Sequence, residues 1–193
     1  MILNLTKRFV FLSIFFISTV ASPSVIANEK DYKTIEWIQL LPKDDLDALL
    51  NPPEYLDDIA DGSAQDTIEN FDSSQFSNEH EKRYQQALNS MRVMTSFNNT
   101  KIRIPGFIVP LESVEGEDIT EFFIVPYFGA CLHLPPPPPN QIIYVEHKQG
   151  VELESLYDAF WFEGTLSIVT VENELGTSAY QLTLDSVSLY EEE

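Results

Sequence analysis

The chain has 193 residues, 44% hydrophobic and 12% aromatic, which is enough to bury one ordinary core and excludes wholesale disorder. Its 31 Asp and Glu against 11 Lys and Arg give a formal charge of −20, which argues against nucleic acid or any other phosphate-backbone partner. A single Cys rules out both an intramolecular disulfide framework and a Cys-rich zinc module.

Residues 1–27 read as a secretory signal peptide. Lys7 and Arg8 supply the positive region, Phe9–Val20 the apolar stretch, and Pro23 breaks it before the small residue Ala27, where cleavage is expected. An uncleaved membrane anchor is the competing reading. The apolar part, at about twelve residues, falls well short of the roughly twenty that a spanning helix needs. No Cys lies near the cut to carry a lipid. The expectation is a soluble periplasmic protein, more acidic still once Lys7 and Arg8 are removed.

Residues 28–100 form an acidic N-terminal extension in which scattered apolar residues stand among Asp, Asn, Gln and Ser. Trp37-Ile38-Gln39-Leu40-Leu41-Pro42 is expected to lie on the main core. Asp44–Leu50 is predicted to be a short helix, its acids at the positive end of the dipole and Pro52-Pro53 beyond its end. Residues 54–78 read as an irregular connection. A second helix is predicted from about Asn78 to Val93, with Tyr84, Leu88 and Met91 at three- and four-residue spacing and Asn78 as cap.

Residues 101–193 show dense apolar alternation and are predicted to form an OB-like barrel domain. The strands are expected at Lys101–Leu111, with a bend or bulge at Pro105-Gly106, then Glu121–Tyr127, Gln141–Val145, Phe160–Val171 and Ser178–Leu189. Leu153–Asp158 is compatible with a short helix. Three strands, a helix and two strands match the order of a mainly β, five-stranded OB-like Greek-key barrel, which closes its sheet and leaves little exposed edge. An open antiparallel sandwich is the alternative.

One segment carries chemistry. Tyr127-Phe128-Gly129-Ala130-Cys131-Leu132-His133-Leu134 runs into Pro135, Pro136, Pro137, Pro138 and Pro139 and ends at Asn140. Consecutive prolines lack amide donors and favour a stiff polyproline II rod, and Leu134 is pushed towards extended geometry by the proline behind it. In an extended chain Cys131 and His133 project to the same side. A soft thiolate and an imidazole together make part of a zinc or copper(I) site. The pair is short of a tetrahedral set. His147 is the candidate third ligand, His80 is more remote, and nothing in the sequence selects between Glu112 and Glu146 as a carboxylate donor. The bland alternative is a buried thiol and a His bonded to a backbone carbonyl.

The stretches Ile104-Pro105-Gly106-Phe107-Ile108-Val109-Pro110-Leu111 and Phe123–His133, the proline run and Asn140-Gln141-Ile142-Ile143-Tyr144-Val145 together resemble the exported bacterial family known as domain of unknown function 3299. Trp37…Leu41-Pro42, Phe162-Glu163-Gly164 and Tyr180 fit the same resemblance, which spans about residues 35–190. It implies an exported protein, in some members associated with ABC-type transport systems and, for certain relatives, zinc acquisition.

Three functions are expected. The first is a periplasmic accessory protein that binds metal, zinc above copper(I), through Cys131, His133 and His147 and works with an ABC transporter. The second is a metal-free module that docks another periplasmic protein through the polyproline loop, using Tyr127, Phe128, Pro135–Pro139 and Asn140. The third is a thiol enzyme with Cys131 as nucleophile. It is disfavoured because Cys–His pairs two residues apart rarely align for proton transfer and no orienting residue is identifiable, so the chain is not expected to be an enzyme. An unpaired Cys131 in an oxidising compartment also permits a crosslinked homodimer.

Overall fold

In chain order the elements of the computed structural model are β1 (Lys33–Thr34), α1 (Lys43–Leu49), α2 (Glu54–Asp57), α3 (Glu79–Leu88), β2 (Thr100–Pro110), β3 (Ile119–Val125), β4 (Ile143–Val151), β5 (Ala159–Ser167), β6 (Val171–Asn173), β7 (Gly176–Ser178) and β8 (Tyr180–Leu189). The structure describes residues 31–60, 62–64, 66, 78–112, 118–130 and 134–191. The signal-peptide reading of residues 1–27 therefore lies outside the described residues, as do Cys131 and His133.

Strict two-residue alternation makes β2. Ile102, Ile104 and Ile108 are buried while the residues beside them in sequence are not, so one face of the strand points into a core. The strand is long enough to serve two neighbours. Its first part pairs antiparallel with β5, from Thr100↔Leu166 to Phe107↔Ala159, and its last part with β3, from Phe107↔Val125 to Pro110↔Phe122. The sheet runs β2-β3-β4-β8-β5 and returns to β2, with β4 and β8 parallel. A closed five-stranded barrel in this strand order, its third and fifth strands parallel, is the OB arrangement. The closing β2–β5 pair rules out the open sandwich. The register through Pro105-Gly106 is continuous, so no bulge occurs there. Gly106 serves close approach instead: a Cβ at that position would stand 2.7 Å from Ile124 Cγ2 and 2.9 Å from the Val125 carbonyl oxygen.

Three other expectations are corrected. Residues 152–158 form bends and turns between β4 and β5, not a helix, because so short a segment cannot offset the cost of nucleation. β4 runs six residues beyond Val145, pairing Val151 with Ile119 across a register shift in which β4 carries the extra residues. The predicted last two strands are each divided: β6 and β7 form a separate two-stranded hairpin between β5 and β8.

The segment before the barrel contributes to its core. Ile35, Leu40 and Phe97 are buried together with Ile102, Phe122, Phe162 and Leu182. Tyr180, fully buried at the start of β8, donates its hydroxyl proton to the Leu40 carbonyl (3.0 Å) and accepts from the Met94 amide (2.7 Å). α3 begins at the expected cap, where the Asn78 side chain accepts from the Glu81 amide at 2.9 Å. It ends at Leu88 rather than Val93, because the chain beyond Asn89 is needed for long-range bonds. Ser90 donates to the buried Asp45 of α1 at 2.6 Å, and Arg83 of α3 reaches the same carboxylate at 2.6 Å. No helix among the described residues is long and apolar enough to cross a membrane.

Candidate functional site

The loop joining β3 to β4 leaves the barrel at Pro126 and returns at Ile142. Its ends lie on the outer face of β3 and β4, where Phe123, Val125, Ala130 and Ile142 make a second buried cluster with Phe107, Val109, Leu111 and Tyr144 packed against it. In OB folds generally, this strand face is where oligonucleotides and oligosaccharides bind. Here the chain's own loop covers it, and Phe123 and Val125 have no exposure at all.

Each described part of the loop is fastened. Tyr127 donates its hydroxyl proton to the Pro135 carbonyl at 3.1 Å. The Leu134 amide donates to Asp66 Oδ1 at 2.7 Å, and the Gly62 amide donates to Asp66 Oδ2 at the same distance, although Asp66 is only 5% exposed. The Leu134–Pro135 peptide bond is cis and the chain bends there; Pro138 is extended (φ −66°, ψ 158°), and the chain then tightens into a 3₁₀ turn over Pro139–Gln141, so any extended rod is shorter than the proline count. The Ala179 amide donates to the Pro139 carbonyl at 2.8 Å. Asn140 donates to the Arg92 carbonyl (2.8 Å) and Gln141 to the Trp37 carbonyl (2.9 Å), tying the loop to the N-terminal segment.

These bonds sort the sequence-derived site residues. Asn140 and Pro138 are buried, and the Asn140 side chain holds the Arg92 backbone instead of facing a partner. Tyr127 and Phe128 are exposed at 43% and 41%. The Phe128 ring stacks on Tyr157 of the β4–β5 connection at 4.5 Å. Beside it lies an apolar hollow of about 160 Å³, bounded by Phe107, Val109, Val125, Phe128, Leu156 and Leu175. Leu156, Tyr157 and Leu175 are exposed large hydrophobics that the sequence reading did not single out.

His147 is half-buried on β4. It stands four residues beyond Ile143, about 13 Å along the strand from the loop's return. Glu146 lies opposite Glu121 across the β3–β4 ladder, Glu112 is exposed just after β2, and His80 is exposed on α3. Burial foremost, and then the Glu121 and Glu146 carboxylates, push the Tyr144 phenol above its ordinary value of 10.0. Among the described residues no group of three or more His, Cys, Asp and Glu side chains could hold a metal ion. Asp66, which holds the Leu134 amide, is a residue the sequence reading passed over as one acid among many.

The fold has a relative of known structure. The chain is similar to the crystal structure of a DUF3299 family protein from Pseudomonas aeruginosa PAO1, with 34% sequence identity over 84% of this chain and 99% of that one and a TM-score of 0.58. Among curated proteins none matches. The family model described as "Protein of unknown function (DUF3299)" matches residues 37–189, and the chain belongs to that family.

Proposed function

We propose that the protein is a periplasmic metal-binding accessory protein, with zinc as the cation, that works alongside an ABC-type transport system. The observation that carries this reading is the Asp66–Leu134 hydrogen bond. A buried carboxylate fixes the backbone of the residue directly after His133, and the proline run stiffens the chain from Pro135 onward. A Cys-x-His pair on such a base has soft and borderline donors suited to zinc, with copper(I) as the competitor. Asp66 acts as a positioning residue, since both its oxygens already accept backbone protons. The acidic surface raises the local cation concentration. Isothermal titration with zinc of the wild type, Cys131→Ala and His133→Ala decides the matter. The wild type binds and both variants lose affinity by at least about tenfold; equal binding by all three removes the site. Metal content of protein purified without chelator, with His133→Ala as control, identifies the cation.

The exposed cluster of Phe128, Leu156, Tyr157 and Leu175 beside the loop favours a second reading, a metal-free docking module for another periplasmic protein. Capture of a partner that survives chelation and is lost in Phe128→Ser and Tyr157→Ser supports it. Capture that is unchanged in both variants counts against it.

A further inference from the structure

The outer face of β2, β5 and β8 carries a second constellation, remote in sequence from the proline loop. The Arg103 guanidinium lies 4.0 Å over the Trp161 ring, and Tyr190 packs against the same indole with centroids 5.1 Å apart and planes 35° from parallel. Glu163 Oε1 stands 3.6 Å from Arg103 Nε, an ion pair too long for a hydrogen bond, while Glu163 Oε2 accepts from Ser186 at 2.7 Å. Arg103 Nε is buried and has no hydrogen-bond partner among the described residues. Nε itself is closed off against Glu163, so a ligand in the cavity meets the outer edge of the guanidinium, on a side chain that is 36% exposed. The cavity holds about 480 Å³, within the range of small-molecule sites, and Thr34, Arg103, Trp161, Ser188 and Tyr190 line it.

The chemistry of the walls narrows the occupant. Tyr190, 39% exposed, presents an aromatic face suited to the C–H face of a ring-shaped ligand, while the Trp161 indole is flanked by Arg103 and Tyr190. Arg103 offers donors only and Glu191 acceptors only, whereas Thr34 and Ser188 offer both. A row of hydroxyl groups, each able to donate and accept, complements that mixture. An anionic ligand meets Glu191 and the field of a chain of charge −20, and a cationic one meets Arg103. We propose that this cavity binds a neutral pyranose saccharide, stacked on Tyr190 beside Trp161 with its hydroxyls bonded to Arg103, Thr34 and Ser188. The proposal is independent of the metal reading.

The chain has two Trp residues, so Trp37→Phe leaves Trp161 as the sole indole reporter. Its emission is followed while the intact protein is titrated with maltotetraose, cellotetraose, chitotetraose and, as the acidic counterpart, tetragalacturonate. The expected result is a saturable change with at least one neutral tetrasaccharide, weakened about tenfold or more by Tyr190→Ala and by Arg103→Met. Thermal unfolding of each variant verifies the fold, and the exposed Tyr190 keeps the test valid if Arg103→Met fails to fold. No response to any neutral sugar up to about 10 mM, a response to the acidic sugar alone, or equal affinity in a folded Tyr190→Ala would overturn the proposal.

Discussion

Asp66 accepts the amide proton of Leu134 across 68 residues of chain, at 2.7 Å, from a position almost sealed from solvent. A charge-assisted bond of this kind is shorter and stronger than a neutral one, and losing the acceptor leaves a part-buried amide unpaired. Asp66→Ala should therefore lower stability by about 1–3 kcal/mol and speed hydrogen exchange at the Leu134 amide. Asp66→Asn keeps an acceptor oxygen and should recover most of the exchange protection. Exchange at Leu134 that is the same in wild type and Asp66→Ala would show that the bond does not restrain the loop.

The barrel could be read in the sequence because its strands alternate. Ile102, Ile104 and Ile108 on β2 and Phe122 and Ile124 on β3 fall on the inward face at the spacing that two-residue periodicity dictates. The extension of β4 could not, because Glu146, His147 and Lys148 are too polar to look like strand, and the pairing of Glu146 and Val151 with β3 is a tertiary effect. At the loop, residue types announced the chemistry and the proline run announced stiffness. The anchors did not show. A buried Asp66 looks like any other acid of a strongly acidic segment, and Asn140 and Gln141 look like turn residues until the carbonyls they bind, those of Arg92 and Trp37, are folded against them. Contacts that join residues so far apart in sequence leave no local periodic trace.

Tyr180 makes a comparable link inside the core. Removing its hydroxyl in Tyr180→Phe leaves the Leu40 carbonyl and the Met94 amide without that partner, at a cost of about 1–3 kcal/mol. Urea unfolding should show a lower midpoint with an unchanged slope. The same residue predicts an alkaline limb. Burial raises its folded-state pKa above 10.0, so the stability it contributes is complete below pH 10 and is lost as pH rises through the folded value. Tyr180→Phe, which cannot ionise, should show less loss of stability above pH 10 than the wild type.

Gly164 is required by contact with backbone. It lies at the register shift between β5 and β8, where a Cβ would come within 2.3 Å of the Thr183 carbonyl oxygen. No rotamer change can relieve such a clash, since the obstacle is main chain. Gly164→Ala should destabilise by about 2 kcal/mol or more, the scale of overpacking in a closed core. Gly62 provides the contrast. Its φ of +71° penalises a side chain, but nothing lies within 4 Å, so Gly62→Ala should cost only about 1 kcal/mol. A Gly164→Ala protein as stable as Gly62→Ala would show that β5 and β8 have room to part at this position.

Acid should loosen the helical segment before the barrel. Asp44 meets Arg92 at 2.5 and 2.9 Å and Arg83 at 3.2 Å, bridging α1 to α3 and the irregular segment after it. The Arg92 hydrogen bonds hold its carboxyl down at about 2, against an ordinary value of 3.8. A depressed folded-state pKa contributes stability that is present above the unfolded value and is lost as pH falls through the folded one. Thermal unfolding of wild type and Asp44→Asn should therefore differ most near neutral pH. The gap should narrow as pH drops below 3.8 and close near pH 2. Because Asp44 is well exposed, salt should shrink the gap as well. The buried neighbour Asp45 answers to a different rule. Asp45→Ala leaves Ser90 without its acceptor in a nearly closed site and Arg83 with Asp44 alone, and should cost about 1–3 kcal/mol, with little relief from salt. If the two substitutions respond to salt alike, the division between an exposed pair and a buried one is wrong.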